Sequence, residues 1–368
     1  YNLSGNTLFG SGGVMMYQRS RNNANVVFNL DSNQLNNAGN RSLYIDNRGS
    51  SSDVDIRGNT LADSGHDHIY YIARNGVDGS LDLINNDLVN AGQRGINFNV
   101  AGGGISQVVN LVNNRINDAN RDAIFLNLRN GAQMTLNIAD NEVLRAGDRS
   151  LEMSIRSNNT VLNVDLINNL FDGAASDNIY ALTRSGSPAI NWVLSDNRLL
   201  NAGGDGFELL GRNRSENTLV LTNNTISGSG GRGIRSRTED NTVTDMTLVD
   251  NRVLGSGNIG VELEVRENAN YTVFGQGNRI VANGGIGVDF DQQAASATLN
   301  ADFGGDAGGS TGGNLIFANG AADVRVNRAS VQAQGNWWGF TTGLPLVELQ
   351  TANGGTLDSS AFLTVEPL

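Results

Sequence analysis

The chain has 368 residues, 25 basic and 37 acidic side chains, a net charge of −12 and no cysteine. The acidic balance argues against nucleic acid as a partner, and the lack of cysteine excludes disulfides, thiol catalysis and cysteine zinc sites. Every basic residue is arginine, and no apolar run is long enough to span a membrane.

From the N-terminus onward an asparagine returns every 26 to 28 residues: Asn6, Asn33, Asn59, Asn86, Asn114, Asn141, Asn169, Asn197, Asn224, Asn251 and Asn278. Repetition at this period marks a solenoid, in which one repeat cannot bury its apolar face alone. Apolar pairs stand five and three residues before the asparagine, as in Leu81 with Leu83 and Leu219 with Leu221. One apolar residue stands two after it (Leu88, Ile116, Ile226), and a third set ten and twelve after it (Ile96 with Phe98, Ile124 with Leu126). Alternation at period two marks strands with one buried face. Three short strands per repeat predict an all-β fold, a single parallel β-helix of about eleven regular rungs over residues 1–290. The strand starting about nine residues after each asparagine is expected to be the longest.

At a corner, a stacked asparagine side chain can donate to one rung and accept from another, giving a ladder at the ~4.8 Å rung spacing. These asparagines are therefore read as structural. Six residues after them stands a glycine in most repeats (Gly12, Gly39, Gly65, Gly92, Gly147, Gly203, Gly230, Gly257 and Gly284), which predicts a backbone position with positive φ.

Residues 291–368 break the rhythm and predict irregular rungs, a glycine-rich loop and a C-terminal cap. Gly304–Gly313 is expected to be flexible, Asn314 and Asn336 stand in contexts comparable with the repeating asparagine, and Trp337 and Trp338 are expected to cover the end of the apolar stack. Because Tyr1 already lies inside a rung, the chain is expected to be a portion of a longer polypeptide.

On this repeat the chain resembles the right-handed parallel β-helix superfamily, the architecture of pectate-lyase-like proteins and of many bacterial surface proteins. Gly335-Asn336-Trp337-Trp338-Gly339, Leu344-Pro345 and the closing Phe362–Leu368 resemble the ending of secreted β-helix repeat domains. Poverty in lysine and cysteine is similarly a habit of secreted bacterial passenger proteins. The resemblance implies a right-handed coil and an extracellular or cell-surface location in a bacterium.

Outward positions on the strand after each asparagine are the candidate sites. Position eleven holds Tyr17, Tyr44, Tyr70, Phe125 and Tyr180, which could stack the rings of an extended glycan or simply stack on one another. Position fifteen holds Arg21, Arg48, Arg74, Arg129, Arg156, Arg184 and Arg212, suited to an acidic polysaccharide or to carbonyls of the next turn. Glu262, Glu264, Asp289 and Asp291 could hold a structural calcium, with neutralisation by Arg235, Arg237 and Arg266 as the alternative. No other cofactor is expected. Alginate epimerases and lyases of this fold use a histidine near the start of the same strand. His66, Asp67, Tyr70 and Arg74 are loosely similar to that set, although the full motif is missing and His68 stands where neighbouring repeats have small residues. The expectation is a secreted or surface-exposed structural or adhesive β-helix, with enzymatic activity left open but leaning against it, and with a polysaccharide or a host or cell-surface protein as partner. The alternatives are a polysaccharide-active enzyme (lyase, epimerase or hydrolase on an acidic glycan) and a noncatalytic glycan-binding module.

Overall fold

A computed structural model describes residues 1–21, 24–49, 51–305 and 309–366. The chain divides into two compact units, Tyr1–Ala181 with Ser185–Asn191, and Leu182–Arg184 with Trp192–Leu368. Each is a run of right-handed parallel β-helix rungs.

In the first unit one rung reads Asp78–Ile84, Asp87–Ala91 and Ile96–Ala101. Each strand pairs in parallel with its counterpart one repeat later: Leu81 opposite Val109, Leu88 opposite Ile116, Ile96 opposite Ile124. Residues of one repeat position therefore form files, and the aliphatic files (Leu83, Leu111 and Ile138, for example) are fully buried. The second unit repeats the plan, with Val243–Val249, Arg252–Leu254 and Val261–Val265 as one rung. Leu315–Phe317, Ala322–Asn327, Ser330–Gln332, Leu349–Ala352 and Thr356–Asp358 continue its three sheets beyond the regular repeats. Among the described residues the one helical element is the 3₁₀ turn Leu346–Glu348, and no helix could cross a membrane.

The longest regular strands are the seven-residue ones that end two residues before each asparagine, such as Gln133–Ala139, not those that follow it. Their length comes from three inward side chains in a row, Met134, Leu136 and Ile138, where the expectation counted only two.

The asparagine ladder is present in both units. The backbone N–H and Nδ2 of Asn86 donate to Oδ1 of Asn114 at 2.9 and 3.0 Å, and Nδ2 also reaches the Ile56 carbonyl at 2.8 Å. Each carboxamide thus satisfies corner groups of two neighbouring rungs, which would otherwise be buried without partners. In the second unit the ladder runs from Asn251 through Asn278 to Asn314 and Asn336, so the irregular rungs keep the same corner.

The glycine expectation is corrected. Positive φ falls one residue before the asparagine (Asn85 at 58°, Asn113 at 52°, Asn223 at 55°) and four after it (Asn90 at 59°, Asp118 at 55°). The glycines at position six have ordinary φ, and from Gly39 onward those with a rung beneath them have no room: a Cβ on Gly65 would lie 2.4 Å from the Gly39 carbonyl oxygen, and one on Gly230 2.3 Å from that of Gly203, whereas Gly12 is unobstructed. Close stacking of turns selects glycine here.

Two C-terminal expectations also change. Several described residues of Gly304–Gly313 are packed: a Cβ on Gly304 would sit 1.9 Å from the Gln334 carbonyl oxygen, and Ser310 Oγ donates to the Gly275 carbonyl at 2.9 Å, while Gly309 and Gly313 stay unobstructed. Glycine density here permits close approach. Trp338 is fully buried and Trp337 bridges to Leu315 in the last strand of the second sheet, so the pair ends that sheet from within the core, while Leu349–Ala352 and Thr356–Asp358 extend the other two. Asp306–Gly308 of the glycine-rich segment and Pro367–Leu368 of the closing motif lie outside the described residues.

Candidate functional site

The third sheet carries the outward positions eleven, thirteen and fifteen. In the first unit Tyr17, Tyr44 and Tyr70 stand opposite one another in successive strands. The Tyr17 and Tyr44 rings are 4.9 Å apart and tilted, and Tyr44 and Tyr70 are 5.2 Å apart and edge to face. Such packing suits ring quadrupoles but presents no row of parallel faces to a sugar. Burial raises the Tyr44 hydroxyl pKa, chiefly by desolvation.

Position eight, just before this strand, was not singled out in the sequence. After Val14 in the first repeat it reads Arg41, Asp67, Arg94, Asp122, Arg149 and Asp177 through the first unit. Arg41 Nε lies 3.2 Å from Asp67, Arg94 Nε 2.8 Å from Asp122, and Arg149 Nε 3.0 Å from Asp177. Each of these arginines also covers an aromatic ring of position eleven: Arg41 lies 4.4 Å from the Tyr70 centroid, Arg94 4.1 Å from Phe125, and Arg149 4.1 Å from Tyr180. The guanidinium gains both an ion pair and a cation–π contact. Tyr17, 55% exposed, is the open member of the aromatic file and borders a cavity with Tyr1, Leu3, Met16 and Phe28. The signal was legible as strict alternation of sign, visible only when repeats are aligned at position eight.

The candidate catalytic set separates. His66 Nδ1 lies 3.1 Å from Asp67 Oδ2 without the alignment of a hydrogen bond, and the His66 side chain is 31% exposed. Asp67 is fully buried and also accepts from Arg41 Nε, the Arg94 backbone N–H and Asn97 Nδ2. Tyr70 joins this group through Arg41. Arg74 does not, because it stands four residues further along the strand, roughly 13 Å away. His68 faces inward. Its Nε2 donates to the Val89 carbonyl at 2.9 Å, and in the neutral ring that burial favours Nδ1 accepts from Ser42 Oγ at 3.1 Å. Burial pushes its pKa down to about 4.

The four second-unit carboxylates are each engaged. Glu262 lies 2.6 Å from Arg232 and 3.1 Å from Arg235, and Glu264 lies 3.0 Å from Arg237 and bonds Arg266. Asp289 pairs with Arg325, while Asp291 accepts from Asn327 at 2.7 Å and from Gln293. Burial still raises the pKa of Glu262 and of Asp289. The expected neutralising partners Arg235, Arg237 and Arg266 are all in place, joined by Arg232 and Arg325. In the first unit, Asp122, Asp148 and Glu152 bring ligand oxygens within 4.8 Å of one another. Burial and neighbouring Asp122 raise the Glu152 pKa.

Position fifteen is mixed. Arg48 bonds Asp46 at 2.7 Å and Arg156 bonds Asn127 at 3.0 Å, whereas Arg212 pairs with Glu239. Arg74 and Arg129 have no acidic partner among the described residues, and Ala101 stands between them.

Residues 213–342 match a family described as a protein of unknown function, DUF1565. No curated protein matches the chain. Among solved structures, a doubly substituted variant of the periplasmic alginate epimerase AlgG is similar with TM-score 0.50 at 11% identity, covering 97% of this chain and 85% of that one. The unsubstituted AlgG structure gives TM-score 0.47 at 10% identity, over 91% of this chain and 77% of that one. Likeness at this identity concerns the fold: the chain is a parallel β-helix protein.

Proposed function

We propose that this chain is a noncatalytic, exported bacterial β-helix that serves as a structural or adhesive segment at the cell surface or outside the cell. The observation that carries the reading is the closure of its outward rows on themselves. Arg41, Arg94 and Arg149 each bind an aspartate and cover an aromatic ring, and Arg235 lies between Glu208 and Glu262. Side chains so engaged stiffen a stalk and leave few groups to converge on a reacting atom. His68, held neutral between Ser42 and Val89, is likewise used by the fold. The partner is then a polysaccharide or a host or cell-surface protein.

The test combines turnover with binding. The purified chain is incubated with alginate and pectate, and products are followed by unsaturated-uronate absorbance, reducing ends and proton NMR for C5 inversion. No product, together with retention on intact cell surfaces, supports the reading; product formed by the chain sinks it.

A second reading, a polysaccharide-active enzyme, is favoured by one feature: the partly exposed imidazole of His66 beside fully buried Asp67. A carboxylate in that place could orient the ring as a general base. Turnover lost in His66→Ala and Asp67→Asn would establish it. Alginate, the polymer named for the structurally similar proteins, is the first substrate to offer.

A further inference from the structure

We propose that the third sheet of the first unit carries an oxyanion-binding notch formed by Arg74, Ala101 and Arg129, which takes a carboxylate or sulfate group of an acidic glycan. This inference rests on the surface-protein reading above only for the nature of the ligand.

Position fifteen places side chains in file, and Ala101 lies opposite Arg74 on one side and Arg129 on the other. The two arginines are therefore two rung steps apart, roughly 9.6 Å between Cα atoms, and the residue between them carries a single methyl group. Here the file lacks a guanidinium, above an alanine that is itself only 8% exposed.

At three other arginines position thirteen supplies the counter-group for position fifteen, Asp46 for Arg48, Glu264 for Arg266 and Asn127 for Arg156, while Arg212 pairs with Glu239 of the next position fifteen. Arg74 meets Ile72 at position thirteen of its own strand, which offers no acceptor. Arg129 shares its strand with Asn127, whose Oδ1 is taken by Arg156. Among the described residues neither arginine makes an ion pair, and neither has the carbonyl contacts that a corner role requires.

The groups around the notch are unmatched in the same sense. Arg74 Nε is a buried donor without a protein partner, and Asn99 Oδ1 is a buried acceptor without one. Asn99 stands on the Ala101 strand, two residues before it, and its Nδ2 reaches the Tyr70 hydroxyl at 3.4 Å. One rung later the equivalent amide, Asn127, is satisfied by an arginine. Two guanidinium groups lacking anions beside an amide oxygen lacking a donor call for a ligand that carries both an oxyanion and hydroxyl groups. Uronic acid and sulfated sugar residues have both. A modest turn of the Arg74 side chain would bring Nε to the ligand.

The experiment is isothermal titration of the intact chain with three probes: an oligogalacturonate, a heparin-derived sulfated oligosaccharide and a neutral dextran of similar length. Binding to at least one anionic probe is expected, weakening with added salt, with none to dextran. Arg74→Gln with Arg129→Gln should weaken it about tenfold or more, while Arg266→Gln, whose arginine already holds Glu264, should leave it within about twofold. Ala101→Glu provides an independent variant, because an added carboxylate should occupy both guanidinium groups, abolish binding and raise Tm. Preference between the uronate and sulfate probes identifies which oxyanion the notch takes. Equal binding of dextran, no binding of either anionic probe, or undiminished binding by the double variant would overturn the proposal. Failure of the notch leaves the noncatalytic reading standing. Product release from alginate or pectate, with loss of binding in the double variant, would overturn that reading and keep the notch.

Discussion

Position eleven of the repeat is filled in two different ways. In the first unit it is largely aromatic, and Tyr70 and Phe125 lie under guanidinium groups from position eight. In the second unit the same position reads Glu208, Arg235, Glu262 and Asp289, followed on the next strand by Arg325, held by Arg235–Glu208 at 2.6 Å, Arg235–Glu262 at 3.1 Å and the Arg325–Asp289 pair. Both patterns answer one constraint. Identical residues ~4.8 Å apart must attract one another or be separated by something that does. Rings meet this through edge contacts and cations, and charges meet it through alternation. The aromatic solution should be insensitive to salt and pH, and the charged one sensitive to both.

The largest expected effect tests what the two units share. Asn114→Ala removes the acceptor for the Asn86 backbone N–H and amide, and the donor for the Leu83 carbonyl. Orphaning these groups should cost roughly 4 kcal/mol, and Asn224→Ala in the second unit should cost a similar amount. Urea unfolding measures both; a loss under about 1 kcal/mol in either would show that the ladder does not hold the corner.

Acid should next separate the units with opposite signs. The His68 pKa is depressed to about 4, below its ordinary value near 6.5, so its contribution is complete above about pH 6.5 and is lost as pH falls through about 4. The effect is on the order of 3 kcal/mol, and His68→Gln should flatten that part of a Tm-against-pH curve. Asp323, which accepts from the Asn319 backbone N–H and amide, is pushed up to about 6 by burial. A raised carboxyl pKa favours the protonated fold, so its penalty grows as pH rises from about 4 to 6 and is full above that. Asp323→Asn should therefore raise Tm at pH 7.5 and leave it unchanged at pH 3.5. A gain at both pH values would assign the effect to packing instead.

Arg235→Met should cost about 2 kcal/mol, discounted for partial exposure, by leaving Glu208 without that partner and Glu262 with Arg232 alone. The loss should shrink near pH 4 as carboxylates protonate, and a pH-independent loss would mean that Arg235 acts by packing. Phe125→Leu should have the smallest effect, about 1 kcal/mol, from loss of the ring under Arg94. It should not change between low and high salt. Strong salt dependence there would erase the distinction between the two solutions.

The repeat, the three strands, the asparagine ladder and the aliphatic interior could all be read from the sequence, because each is a local pattern repeated at a fixed period. Neighbouring rungs amplify it: one residue type at one position satisfies the same corner eleven times. Asn314 and Asn336 stood out only by their context, and their place in the ladder came from the structure, because their spacings of 36 and 22 residues break the period. Part of the candidate site was legible too, in the aromatic and arginine files and in the arginines facing Glu262 and Glu264.

Tertiary structure decided what depends on contacts between repeats. Glycine at position six looked like a left-handed backbone position and proved to be a site of close stacking, because a one-letter sequence does not distinguish φ from space. Positive φ went instead to residues such as Asn85 and Asp118. The glycine-rich segment packs against Gln334, a partner that no local pattern points to. The Arg–Asp alternation at position eight and the uncountered pair Arg74 and Arg129 are relations between strands 26 to 28 residues apart. A charge has meaning only beside its neighbours, and in a parallel β-helix those neighbours lie one rung away.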